Sequence, residues 1–192
     1  MKIKEIAEVG SGLVVARKKA MLDKEIVKSY KQLNLKSVNR NGYIDLEELE
    51  NLDAKEPIDE YYLTHEGDII VRLIDPFTAI YINKEWERIV ITSNFCIVRC
   101  SENYSSEFLS YYINSDRAKK MLLGNSQGSI MRNINMSAVG EIQLPNIPID
   151  KQRIIGKLLW AQTKKIIILN RMQELEEKQR KAIFEKIEKR EV

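Results

Sequence analysis

The stretch LPNIPIDKQRI (144–154) divides this sequence into two unlike parts. Its two prolines sit in an extended, apolar run. They fix their own φ and bias the residue before them away from the helical region, so no helix is expected to start until after Pro148. Beyond that point the chain reaches Val192 without another proline, and Gly156 is its one glycine. Apolar residues Ile155, Leu158, Leu159, Ile166, Leu169, Met172, Leu175, Ile183 and Ile187 recur there at spacings of three, four and seven, which predicts a helix from about Ile149. Roughly 40 residues at about 1.5 Å each make a rod about 60 Å long, more than a small domain is wide. Much of the stripe is therefore expected to meet a partner helix. The alternative is a helix folded back over the chain's own sheet.

Upstream, the pattern is mixed. KIKEIAEV (2–9) alternates as an edge strand would, and the glycines of GSG (10–12) break it. GDIIVRL (67–73), TAIYIN (78–83) and IVITSNFCIVRC (89–100) are rich in β-branched residues and read as strands. From Ser105 to Leu123 the apolar positions switch to helical spacing, and Gly124 stands where a terminating glycine belongs. Residues 124–135 form a polar, glycine-punctuated loop. Strands and helices mix without βαβ alternation, so the fold class is α+β: a mixed domain over 1–146 followed by one long helix over 147–192.

At 192 residues, 44% hydrophobic and 31% charged, the chain has the composition of a soluble globular protein with one domain and an appendage. No apolar run approaches the roughly 18 residues that span a bilayer. The N-terminus lacks an apolar signal core and is expected to be mature sequence. Cys96 and Cys100 lie in one β-rich run and read as reduced core thiols, so the expected compartment is the cytoplasm. The net charge of +3 conceals an uneven distribution. Residues 1–40 carry ten Lys/Arg against four Asp/Glu, 41–75 two against eleven, and 149–192 twelve against seven. A basic head, an acidic belt and a basic tail suit a protein that touches phosphate on selected faces.

Catalytic chemistry finds little support. His65 is the one histidine, in the turn YYLTHEGD. Two cysteines and one histidine cannot close a zinc site without carboxylates. No phosphate-cradling glycine loop is present. Asp75-Pro76-Phe77 partly matches the Asn/Asp-Pro-Pro-aromatic signature of amino-methyltransferases but lacks the second proline, and a strand-ending turn explains it better. Asp45, Glu47, Glu48, Glu50, Asp53, Asp59 and Glu60 spread evenly, as on a solvated face. Neither a catalytic residue, a metal ligand nor a cofactor is assigned.

An ordered set of stretches resembles the DNA-specificity subunits of type I restriction–modification systems. IAEVGSGLVVARKK resembles the opening of a target recognition domain, and SYKQLNLKSVNRNGYIDLEEL its strand–turn segment. YYLTHEGDIIVRL resembles the succeeding Gly-Asp-Ile strand. SQGSIMRNINMSAVGEIQLPNIPIDKQRIIGKLL resembles the join to the conserved helix, with Lys151 where an acidic residue is usual. The resemblance implies a non-catalytic reader of double-stranded DNA that guides a methyltransferase (modification) subunit and a restriction subunit, with S-adenosylmethionine held by the partner. A full subunit of that family has two recognition domains and two helical regions packed as an antiparallel coiled coil. This sequence has one of each, so a half-subunit forming a homodimer through the C-terminal helix and reading a bipartite site is expected. A coiled-coil adaptor whose domain binds protein is the alternative.

Three surfaces are candidates for DNA. Arg17, Lys18 and Lys19 suit phosphate. Lys31, Lys36, Asn39, Arg40 and Asn41 flank the turn before Gly42 and mix charge with amide donors. Asn125, Ser126, Gln127, Ser129, Arg132 and Asn133 carry short polar and amide groups that suit bidentate reading of base edges, and this loop ranks first.

Overall fold

A computed structural model of the chain describes residues 1–123 and 133–188. In chain order the strands are β1 (Ala7–Ser11), β2 (Lys28–Gln32), β3 (Val38–Asn39), β4 (Tyr43–Ile44), β5 (Glu50–Ala54), β6 (Ile69–Arg72), β7 (Ala79–Tyr81) and β8 (Phe95–Cys100). The α-helices are α1 (Ser106–Ile113), α2 (Asp116–Leu123), α3 (Met136–Gly140) and α4 (Ile149–Glu188). The central sheet has the order β1-β8-β6-β7 with every neighbouring pair antiparallel, so the domain is α+β as expected.

Both faces of this sheet are covered, which is why its strands read as continuous apolar runs. Ile69, Val71, Cys96 and Val98 point to one side, into a core completed by Phe108, Leu109, Ile113 and Val139 of the helices. Ile70, Ile80, Phe95 and Ile97 point to the other, where Trp86 and the β3–β4 hairpin close over them. Leu52, Ala54, Leu63 and Val90 form a smaller core beneath the β2–β5 ribbon. Burial pushes the Cys96 thiol up to about 12 and the Cys100 thiol up to about 11, and both are free. They are core thiols rather than nucleophiles.

Three local expectations change. Ile3–Glu5 is a turn of 3-10 helix, and β1 begins at Ala7 and runs through Gly10 without a break, although it is the edge strand predicted. A Cβ at Gly10 would stand 1.6 Å from the Tyr61 hydroxyl, so the glycine leaves room for that ring to lie over the strand. In the run 89–100, only Phe95–Cys100 is a strand; Val90 and Thr92 make isolated bridges. The helix read over 105–123 is two helices. Asn114 ends α1 and turns its amide to the free edge of β7, where Oδ1 accepts from the Ala79 N–H at 2.8 Å and Nδ2 donates to the Ala79 carbonyl at 2.7 Å. One side chain thus occupies the place of a further strand. Gly124 lies outside the described residues.

The terminal helix spans 40 residues and starts where the prolines allow. Its first half folds back onto the domain. Gln152, Gly156 and Thr163 are buried, and Trp160 meets the rings of Tyr81 and Trp86 edge-on, each at 5.6 Å. Gly156 lets the two backbones cross closely, since a Cβ there would stand 2.8 Å from the Phe108 nitrogen. From Arg171 to Glu188 every residue of α4 is exposed.

Candidate nucleic-acid interface

The second candidate surface is built beside a half-buried cation that sequence reading passed over. Arg72, at the end of β6, donates to the carbonyls of Leu35 (2.9 Å), Ile74 (2.9 Å) and Asp75 (3.1 Å). Lys36 follows Leu35 directly, and its N–H is fixed by the Asn34 Oδ1 at 2.7 Å. Burial lowers the pKa of Arg72, Asp75 opposes this, and the charge of Arg40 lowers it further, which places Arg40 in the same electrostatic neighbourhood. Asn133 pairs with Ile74 as an isolated bridge. Arg72 thus ties the Leu35–Lys36 backbone to the 74–75 turn, against which Asn133, the one described residue of the third candidate surface, is bridged. Asn125, Ser126, Gln127, Ser129 and Arg132 lie outside the described residues.

The hairpin turn carrying Arg40 has a fixed shape. Asn39 Oδ1 accepts from the Asn41 N–H, and Gly42 supplies the positive φ of +79° that the turn needs. The Asn39 Nδ2 donates inward to the Tyr43 hydroxyl, so this amide holds the hairpin, while Arg40 and Asn41 remain exposed. Lys31 stands exposed on β2 opposite Asn51.

The first surface is separate. Arg17 closes a short 3-10 turn, Lys18 pairs with Glu56 at 2.8 Å, and Lys19 bridges to Ala54 at the end of β5. Arg17 and Lys19 have no carboxylate partner among the described residues.

His65 belongs to a structural cluster. Arg99 grips the buried Asp68 through two nitrogens at 3.0 and 3.1 Å, and His65 and Glu60 flank this pair. Burial alone would lower the Arg99 guanidinium, but the hydrogen bonds and charge of Asp68 hold it above its ordinary value. No group of three metal-ligating side chains converges among the described residues. No described helix is long and apolar enough to cross a membrane.

With this geometry in view, the comparisons with known proteins are specific. Residues 1–177 match the family model for the type I restriction modification DNA specificity domain. The chain belongs to this family. It is similar to the HsdS subunit from Thermoanaerobacter tengcongensis (TM-score 0.64, 13% identity), covering 90% of this chain and 43% of that one. A chain from a structure of complex assembly and conformational transition of the type I R-M system gives a TM-score of 0.63 at 14% identity, with the same coverage. The type I restriction–modification S subunit from M. genitalium follows at 0.51 and 12%, covering 84% of this chain and 37% of that one. At such identities the likeness is one of fold. No curated protein matches. The chain spans less than half the length of these solved proteins.

In this specificity-family chain, α4 has a docked side and an apolar side that faces solvent. At 3.6 residues per turn, Gln152, Gly156, Thr163, Ile167 and Asn170 share one face. That face is docked: Thr163 Oγ1 lies 2.7 Å from the Tyr111 hydroxyl, and Asn170 Nδ2 donates to the Tyr43 hydroxyl at 2.9 Å. Roughly opposite stand Ile154, Leu158, Ile168, Leu169, Met172 and Ile183, between 51% and 68% exposed. The stripe read from spacing mixes the two sides. Ile155 and Ile166 pack on the chain's own cores, and Leu159 is half-buried. Leu158, Leu169, Met172, Leu175, Ile183 and Ile187 face solvent.

Proposed function

We propose that this chain is a sequence-specific DNA-binding specificity subunit of a type I restriction–modification system. It directs a partner adenine methyltransferase and a nuclease/translocase to a bipartite site. Residues 1–146 are the target recognition domain, and 147–192 the helix that spaces and dimerises it. The reading rests on family membership, and one observation carries the dimer: α4 keeps a solvent-facing apolar side after its opposite side has been satisfied by the domain. A second copy related by a dyad covers that side in an antiparallel coiled coil and restores two recognition domains.

DNA lies against the surface that carries Lys36, Arg40 and Asn133, and Asn125, Ser126, Gln127, Ser129 and Arg132 are assigned to the same reading. Lys and Arg take phosphates, and Asn, Gln and Arg132 read base edges. Arg17, Lys18, Lys19 and Lys31 extend the phosphate track. S-adenosylmethionine binds the methyltransferase, and the complex works in the cytoplasm.

Co-purification with a methyltransferase subunit, followed by mapping of methylated adenines, tests this reading. Methylation at a palindromic site split by an unread spacer is expected. A chain that captures no methyltransferase and binds duplex DNA without salt dependence would sink it and favour a protein-binding adaptor.

A further inference from the structure

The segment between Lys19 and Lys28 takes no part in the surfaces described so far, yet its shape is strongly determined. Its two ends are tied to the same strand end: the Ala20 N–H donates to the Asp53 carbonyl at 2.8 Å and the Val27 N–H to the Ala54 carbonyl at 2.9 Å. Within the loop, Glu25 turns inward. Its Oε2 accepts from the N–H groups of Met21 (3.0 Å) and Leu22 (3.3 Å), while the Glu25 N–H returns to the Leu22 carbonyl. These bonds spend an acidic side chain on holding up a turn whose tip is apolar. Met21 is 84% exposed and Leu22 53%.

An apolar tip held out in water by a rigid turn needs something to enter. The surroundings indicate what. From Arg17 to Lys28 there are five basic residues against two acids, and one of those acids is Glu25, whose carboxylate is engaged with the loop's own backbone. Of the neighbouring carboxylates, Asp53 accepts from the Ser29 hydroxyl at 2.6 Å and Glu56 pairs with Lys18. Arg17, Lys19 and Lys24 have no carboxylate partner among the described residues. An apolar tip flanked by cations fits a polyanion with apolar layers a few ångströms behind its charges. Anionic lipid and duplex DNA both have that form, and the family of this chain favours stacked base pairs behind phosphates.

We propose that the 20–27 loop is an apolar wedge for duplex DNA, in which the flanking Lys and Arg ride on phosphates while Met21 and Leu22 press between base pairs. The inference rests on the DNA-recognition reading and adds a contact that reading does not contain. Its contribution is not salt-dependent, because apolar insertion releases no counterions.

The test uses the full chain and short duplexes selected by it from a random-sequence pool, with 2-aminopurine placed at successive positions. The wild type is expected to brighten the probe at one step by unstacking it. The double variant M21S/L22S is expected to lose that signal and to bind at least about tenfold more weakly, with an unchanged slope of log affinity against log salt. K19A/K24A is expected to lower that slope by roughly one to two. Unchanged thermal melting of M21S/L22S separates these effects from misfolding. If M21S/L22S binds and unstacks as the wild type does, the wedge is overturned while the DNA-recognition reading stands. If the wild type selects no duplex at all, both fall.

Discussion

The backbone N–H of Ser105 donates to the side-chain Oε1 of Gln152 at 3.2 Å, and the same amide donates from Nε2 to the Ile147 carbonyl at 2.7 Å. One buried glutamine thus joins the start of α1, the proline-marked extended segment and the first turn of α4. Gln152→Ala leaves a buried N–H and a carbonyl without partners. It should cost about 1–3 kcal/mol of stability, read from the midpoint of urea unfolding. A midpoint unchanged from wild type would show that water replaces the amide.

Gly156→Ala pits two effects against each other. Alanine gains up to about 1 kcal/mol of helix propensity. Against this, its methyl would stand 2.8 Å from the Phe108 nitrogen and 2.9 Å from the Glu107 Cβ, where α1 has no room to yield. Overpacking of this kind costs about 1–3 kcal/mol, so net destabilisation is expected in the same unfolding measurement. A stabilised variant would mean that the helices part easily.

Leu169→Glu with Met172→Glu places charge on the outward side of α4 and leaves the docked side untouched. Sedimentation should shift from a dimer to the 22.4 kDa monomer, with monomer stability changed by no more than about 0.5 kcal/mol. Wild-type protein already monomeric at micromolar concentration would remove the need for self-pairing.

The Glu141 carboxyl, hydrogen-bonded by Lys2 and Lys4, is held down to about 2 from its ordinary 4.5. Its folded pKa lies below the unfolded one, so its contribution is present above about pH 4.5 and is lost as pH falls towards about 2. All three side chains are substantially exposed, so solvent and salt screen the effect. Thermal melts across that window should lose less stability in Glu141→Gln than in wild type. Parallel pH curves for the two would assign the acid sensitivity elsewhere.

How much could be read from the residues depended on range. The strands of the central sheet and the start of α4 were legible because they rest on local alternation, helical spacing and the two prolines. The break at Asn114 was not, because it depends on Ala79, 35 residues earlier in the chain. Spacing revealed that α4 is apolar but could not assign its sides. Trp160 is claimed by Tyr81 and Trp86 from the domain, and Gln152, Thr163 and Asn170 acquire their role only through Ser105, Tyr111 and Tyr43 opposite them. In the DNA-binding reading, the candidate loops were recognisable by composition. Arg72, which holds the backbone at Leu35 beside Lys36, was hidden inside a strand that looked purely structural.

The pairing of Asn114 with Ala79 also makes an amide indispensable at this position. Only an amide offers an acceptor and a donor side by side to one strand residue. Conversion of Asn114 to aspartate would replace the Nδ2 donor with a second oxygen facing the Ala79 carbonyl. The Ala79 N–H would keep its acceptor while the carbonyl lost its donor, so the Asn114→Asp variant should aggregate through the opened edge of β7 more readily than the wild type.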